Sequence, residues 1–291
     1  MNILLTGKNG QVGWELRRTL LPLGRVTAVG RAELDLTDAA AVRRALDENQ
    51  PDVIVNAAAY TAVDKAETAP EEAAAINAAA PALLAQEAAR RGALLIHYST
   101  DYVYDGRKTA PYVETDPAQP LGVYGRSKLA GEAGIRATDA DHLIFRTSWV
   151  YAARGANFLL TILRLAAERE ELRIVADQIG APTWARFIAE ATAQTLRQAM
   201  RERRDGGFTS GLFHLVADGE TSWHGFASAI VAHRGGLRVK HITPITTADY
   251  PTPARRPANS RLATDALRAR FGLALPDWRD CLQLCLEECP R

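Results

Sequence analysis

In the stretch "VYGRSKLAGE" a phenol and an ammonium, Tyr124 and Lys128, stand four residues apart, which places them on one face of a helix. On an exposed helix such a pair adds only a few tenths of a kcal/mol. In a reaction site it does more: a nearby positive charge favours the phenolate, lowers the tyrosine pKa and lets it pass a proton near neutral pH. A second group, Ser99, Thr100 and Asp101 in "HYSTDYVYDG", ends an apolar run. The carboxyl ends of parallel strands are where such sheets bind ligands, and a hydroxyl there can hydrogen-bond a substrate carbonyl.

A third set lies at the start of the chain. "LLTGKNGQVG" places Gly7, Gly10 and Gly13 after an apolar run and into a helical one, with G-x-x-G-x-x-G spacing. Glycines there let the backbone turn tightly and approach a pyrophosphate, which the free N–H groups of the helix start then bind. The end of the second strand selects the nicotinamide. An acid there holds the ribose 2′-hydroxyl of NAD, whereas an arginine pairs with the 2′-phosphate of NADP. "VTAVGRAELDL" supplies Gly30 and Arg31 with no carboxylate at that place, which favours NADPH and leaves NADH open through Glu33. Asp35 and Leu36 are candidates for the adenine border, and "NAAAYT" closes the third strand along the cofactor path.

The elements that must position these groups follow from hydropathy. "NILLT", "VTAV", "DVIVNAA", "LLIHYS" and "HLIFRTS" are nearly continuous apolar runs, the pattern of parallel strands covered on both faces. Amphipathic segments at 11–22, 38–48, 70–91 and 124–136 separate them. The β-α-β-α order predicts an α/β fold, a doubly wound parallel sheet of Rossmann type. Beyond residue 170, "LRIV" and "LFHLVA" alternate with helices near 184–200 and 222–233, and a Pro-rich stretch, "DYPTPARRPANSRL", precedes a last helix. We assign 1–170 to a dinucleotide-binding domain and 171–291 mainly to a smaller substrate domain that returns some segments to the sheet.

The 291 residues are 47% apolar with formal net charge +1, which suggests neither a nucleic-acid nor a membrane partner. No apolar run approaches the ~18 residues of a membrane span, and the N-terminus lacks a secretory pattern, so a cytoplasmic location is expected. Cys281, Cys285 and Cys289 share one face of the last helix with no histidine close in sequence. They are expected to be buried thiols rather than a metal or redox site.

Taken together, the glycine turn, Thr100 and Tyr124-x-x-x-Lys128 resemble the extended short-chain dehydrogenase/reductase family. "PDVIVNAAAYTAVDKAE", "HLIFRTSWVY", "DQIGAPT" and "YPTPARRPANSRL" extend the resemblance, over nearly the whole chain, to the dTDP-4-dehydrorhamnose reductase family. That resemblance implies reduction of the 4-keto group of dTDP-4-dehydro-6-deoxy-L-mannose to dTDP-L-rhamnose. It further implies that Tyr124 protonates the sugar O4, that Thr100 polarises the carbonyl, and that Lys128 holds the nicotinamide ribose and lowers the Tyr124 pKa. Gly10, Gln11 and Val12 would line the pyrophosphate, with Asp35, Leu36, Ala59, Tyr60 and Thr61 farther along the cofactor. Asp101 and Trp149 would meet the sugar, and Asn157, Trp223 and Arg261 the nucleotide-sugar pocket, Arg261 as a fork on its pyrophosphate.

Some family members form a homodimer around Mg²⁺ held by three glutamates. Glu15 matches the first position and Glu287 or Glu288 the last, but Arg186 stands at the middle one. A guanidinium does not coordinate a metal, so no metal ligand is assigned, and a homodimer stays open. A 4,6-dehydratase would need a carboxylate after the Thr-Asp pair, where this chain has Tyr102. A 4-epimerase would retain NAD without net redox change. A regulatory subunit of methionine adenosyltransferase would not need the full set of Thr100, Tyr124 and Lys128.

Overall fold

The computed structural model describes residues 1–289, so the last two positions of the expected 171–291 unit lie outside it. The first half runs β1 (Asn2–Thr6), α1 (Gln11–Thr19), β2 (Arg25–Val29), α2 (Ala39–Asn49), β3 (Val53–Asn56), α3 (Val63–Ala66), α4 (Pro70–Ala74), α5 (Ala80–Arg91), β4 (Leu94–Thr100), α6 (Val123–Arg136), β5 (His142–Thr147), β6 (Val150–Tyr151) and α7 (Phe158–Glu168). The second half adds β7 (Glu171–Val175), β8 (Ile179–Gly180), β9 (Thr183–Trp184), α8 (Ala185–Arg204), β10 (Gly211–His214), β11 (Thr221–Ser222), α9 (Trp223–Arg234), β12 (His241–Ile245), α10 (Asp265–Phe271) and α11 (Trp278–Glu288).

Six strands in the order β2-β1-β3-β4-β5-β10 form a wholly parallel sheet. Successive side chains of a strand point to opposite faces. On one face Ile3, Leu5, Val55, Ile96 and Phe145 pack against Leu16 of α1, Ile188 and Leu196 of α8 and Leu267 of α10. On the other, Leu4, Ile54, Leu95 and Ile144 meet Val42 and Leu46 of α2, Leu84 and Ala88 of α5 and Ile135 of α6. Both faces are covered, which is why the strands read as unbroken apolar runs. The doubly wound α/β class expected from the pattern is the class observed.

A second core gathers Leu159 and Ile162 of α7, Leu172 of β7, Phe226 and Ile230 of α9, and Trp278, Cys281 and Cys285 of α11. All three cysteines are buried and free. The division of labour along the chain is interleaved: α7 joins this second core, whereas α8, β10 and α10 complete the sheet and its cover. Among the described residues no helix is long and apolar enough to cross a membrane.

One predicted element differs. The helix expected over 70–91 is broken by a π turn, Ala75–Ala79, between α4 and α5. The turn aims Asn77 at the loop after β3, where its side-chain oxygen accepts from the Tyr60 N–H (2.9 Å) and its nitrogen donates to the Tyr60 carbonyl (3.0 Å). Such a bulge is a tertiary device, and the sequence marks its place with Pro81 in the first turn of α5, which has no N–H to offer the Asn77 carbonyl.

Candidate active site

β2 and β3 flank β1 on opposite sides, so the chain reverses its winding direction there, and the crevice beyond those strand ends is the usual ligand site of the fold. The turn after β1 is built to leave space in it. Gly7 has φ +75°, and a Cβ on it would lie 2.6 Å from the Ala57 backbone; a Cβ on Gly13 would lie 2.0 Å from the Gly7 oxygen. Gly10 caps α1 without a side-chain bond, so the first N–H groups of the helix stay free for an anion. Val12 packs against the sheet core and Gln11 donates to the Val150 carbonyl (3.3 Å). This cradle, which a side chain would fill, fits a dinucleotide pyrophosphate. Gly13→Ala must therefore displace backbone, and its cofactor Kd is expected to rise by about tenfold or more, read by fluorescence titration with NADPH.

At the end of β2, Glu33 accepts from the Gly30 N–H (2.8 Å) and from Lys8 Nζ (2.7 Å), both of which hold its pKa down. Arg31 stays 73% exposed, with its guanidinium 3.8 Å from Glu72. Asp35 turns back on its own loop, accepting from the Thr37 N–H and hydroxyl. Leu36 is buried in the core under the sheet. Ala59 is half-buried, Tyr60 buried and Thr61 exposed in the loop that Asn77 clamps.

The reactive groups converge at the next strand ends. Thr100 closes β4; its hydroxyl donates to Asp101 Oδ1 (3.0 Å) and accepts from the Tyr102 N–H (3.2 Å). Asp101 is buried, its Oδ2 has no hydrogen-bond partner among the described residues, and burial raises its pKa to about 6. Tyr124 lies in the first turn of α6, edge-on to Tyr102 with ring centres 5.6 Å apart. Two glycines seat this helix: a Cβ on Gly125 would lie 2.1 Å from the Tyr102 carbonyl, and one on Gly131 2.1 Å from that of Asn77.

Lys128 is fully buried one turn on, but its ammonium points into the sheet. It donates to the Tyr98 carbonyl (2.7 Å) and lies 3.2 Å from His97 Nε2. The expectation that Lys128 lowers the Tyr124 pKa is not met. Desolvation raises the phenol above its usual value, the Thr100 hydroxyl opposes it, and Asp101 and Tyr102 add smaller upward effects. Lys128 is itself lowered to about 8 by burial. The physical reason is that desolvation disfavours the charged form of each group.

Trp149 adopts φ +47°, a strained value for a bulky residue. It stacks on Trp223 with ring centres 3.6 Å apart, over Gly180, where a Cβ would lie 2.7 Å from the indole. Trp223 is held in turn by Phe158 and by donating to Gln178 (3.1 Å). The other two pocket candidates are committed elsewhere. Asn157 caps α7, accepting from the Leu160 N–H and donating to the Ala152 and Arg154 carbonyls. Arg261 spends its guanidinium on Asn259, Glu220 and the Thr109 carbonyl. Arg256, which local spacing did not single out, donates to Tyr102 Oη (3.0 Å) and pairs with Asp64 (2.8 Å).

The three positions of the metal-linked dimer do not fit a divalent cation. Arg186 bridges Glu15 (3.2 Å) and Glu288 within one chain, so a guanidinium already supplies the positive charge. No group of three or more His, Cys, Asp or Glu side chains among the described residues could hold a metal ion.

The family model described as the RmlD substrate binding domain matches residues 1–290. A dTDP-4-dehydrorhamnose reductase of Burkholderia thailandensis is 55% identical over 294 residues, covering 99% of each chain. That of Escherichia coli K12 is 48% identical, covering 99% of this chain and 98% of its own. Among solved structures, a dTDP-4-dehydrorhamnose reductase of Clostridium acetobutylicum superposes with TM-score 0.90 at 36% identity, covering 99% of each chain. That of Bacillus anthracis, in complex with NADP, gives 0.88 at 33%, covering 98% of each. The chain belongs to the dTDP-4-dehydrorhamnose reductase family of extended short-chain dehydrogenases/reductases.

Proposed function

We propose that the chain reduces the 4-keto group of dTDP-4-dehydro-6-deoxy-L-mannose to dTDP-L-rhamnose in the cytoplasm, using NADPH in preference to NADH. It is an NAD(P)H-dependent ketoreductase of nucleotide sugars. What supports the reading most is the gathering of Thr100, Tyr124 and Lys128 beside a glycine cradle at the carboxyl ends of the sheet. The turn from Gly7 to Gly13, with Gln11 and Val12, binds the pyrophosphate, and Tyr60 and Thr61 border the cofactor path. Lys128 holds the nicotinamide ribose. The reduced nicotinamide, when bound, supplies a hydride to C4.

The raised pKa of Tyr124 suits this direction of chemistry. A phenol with its pKa raised is fully protonated at neutral pH, which is the state a proton donor to O4 must start from. The Thr100 hydroxyl hydrogen-bonds the carbonyl oxygen and follows it as negative charge grows there. That hydroxyl carries one proton, which the free protein directs at Asp101; it turns from the carboxylate to the carbonyl oxygen when the sugar binds. Trp149, held by Trp223, offers an aromatic face to the sugar. Tyr102, tied up by Arg256, stands where elimination would need a carboxylate.

Deuterium transfer tests the reading. With NADPH deuterated at the transferable nicotinamide position, the label should appear at C4 of the rhamnosyl product by NMR; product without label at C4 would overturn it. Arg31 is the cofactor-selecting residue in this account. Arg31→Ala should lower the NADPH-to-NADH ratio of kcat/KM about tenfold, the worth of one charge-assisted contact of about 1.5 kcal/mol.

A further inference from the structure

A row of buried polar side chains runs beneath the site. Thr6, Asn56 and His97 are register partners on β1, β3 and β4, and Lys128 of α6 continues the row. Thr6 Oγ1 lies 2.7 Å from Asn56 Oδ1, Asn56 Nδ2 3.1 Å from His97 Nδ1, and His97 Nε2 3.2 Å from Lys128 Nζ. All four are 2% exposed or less.

The donors and acceptors of this row cannot be chosen independently. A charged ammonium only donates, so His97 Nε2 must accept and the ring proton must sit on Nδ1. Nδ1–H then needs the amide oxygen of Asn56, with the amide nitrogen turned to the Thr6 hydroxyl; the two ends of an amide have nearly the same shape. The amide as it stands here, Oδ1 toward Thr6 and Nδ2 toward His97, puts the ring proton on Nε2, facing Lys128, and suits only a neutral amine; the charged ammonium calls for the amide turned over. The tautomer of His97 and the charge of Lys128 are therefore linked.

Resting on the reductase reading above, we infer that His97 is a positioning residue, which holds Lys128 in place as a charged ammonium through its Nε2 lone pair, with Asn56 setting its tautomer. Burial and the Lys128 charge keep the imidazole neutral, far below its usual range, so it stays an acceptor. The other ionisable groups around Lys128 are Tyr124 and Glu132 on α6, the latter held by Arg146 of β5. The row is no proton wire: an amide does not pass a proton on, and Thr6 ends it inside the protein.

The test compares His97→Leu, which removes the acceptor, with His97→Gln, which offers a side-chain oxygen. The readout is the pH dependence of kcat/KM for NADPH and of NADPH binding by fluorescence. Loss of the Lys128 charge gives wild type an alkaline limb near pH 8, the value to which burial lowers this lysine. Without an acceptor the ammonium is less favoured, so in His97→Leu the limb should move down by about one unit and kcat/KM at neutral pH fall about tenfold. His97→Gln should restore most of both. If His97→Leu does not fold, Asn56→Leu, which frees the tautomer, should move the limb in the same direction. An unmoved limb in the folded variant, or a Gln variant no better than Leu, overturns the assignment. Wild type that binds NADPH with this limb but does not turn over the sugar faults the reductase reading and leaves His97 in its place.

Discussion

Tyr124→Phe should lose about 10³-fold in turnover of the 4-keto sugar while its affinity for NADPH stays close to that of wild type. The substitution removes one oxygen from a half-buried ring in the first turn of α6. The ring still meets Tyr102 edge-on, so the helix keeps its seat. What is lost is the proton that O4 must receive as the carbonyl becomes an alcohol. Thr100 alone can hydrogen-bond the oxygen but is a poor acid, so it supplies polarisation without protonation. Steady-state kinetics with fluorescence titration separate the two effects: kcat falls and the cofactor Kd does not. Full turnover in this variant would remove Tyr124 from the role of donor.

Arg146→Leu should be the most damaging change to stability, by about 3–5 kcal/mol, because it strands a buried carboxylate. Arg146 makes a two-pronged pair with Glu132, at 2.8 and 2.6 Å, and also donates to Tyr104 Oη (2.6 Å). Ser99 donates to the same Glu132 (2.5 Å), and Tyr104 lies 2.8 Å from His214 Nε2. The pair is only 4% and 0% exposed, so water cannot take the place of the lost partner. Replacing both members by leucine removes the unpaired charge and should recover much of the loss, though the Ser99 hydroxyl loses its acceptor; Tyr104 keeps His214 and the Val113 carbonyl. Urea unfolding of the single and double variants checks this. Since Glu132 lies one turn beyond Lys128, the single variant should also lose activity.

The strands were legible because both faces of a parallel sheet are apolar, and the Tyr124–Lys128 pair because four residues close one helical turn. What surrounds Lys128 was not legible. His97 is 31 residues from Lys128 and 41 from Asn56, joined to the first by the packing of α6 on β4 and to the second by strand register. Burial reversed the expected effect on Tyr124, since spacing gives proximity but not solvation. Asn157 and Arg261 have the right types for a ligand, yet helix capping and ion pairing use them first. Asn77 and Arg256 escaped notice because a π turn and a chain crossing, not local spacing, bring them to the site.

The most direct check is loss of reduced-nicotinamide absorbance when the protein meets dTDP-4-dehydro-6-deoxy-L-mannose generated in situ. We expect stoichiometric oxidation of NADPH, slower oxidation of NADH, and dTDP-L-rhamnose as the product. A folded protein that binds NADPH and leaves both the cofactor and the sugar unchanged would contradict the reductase assignment.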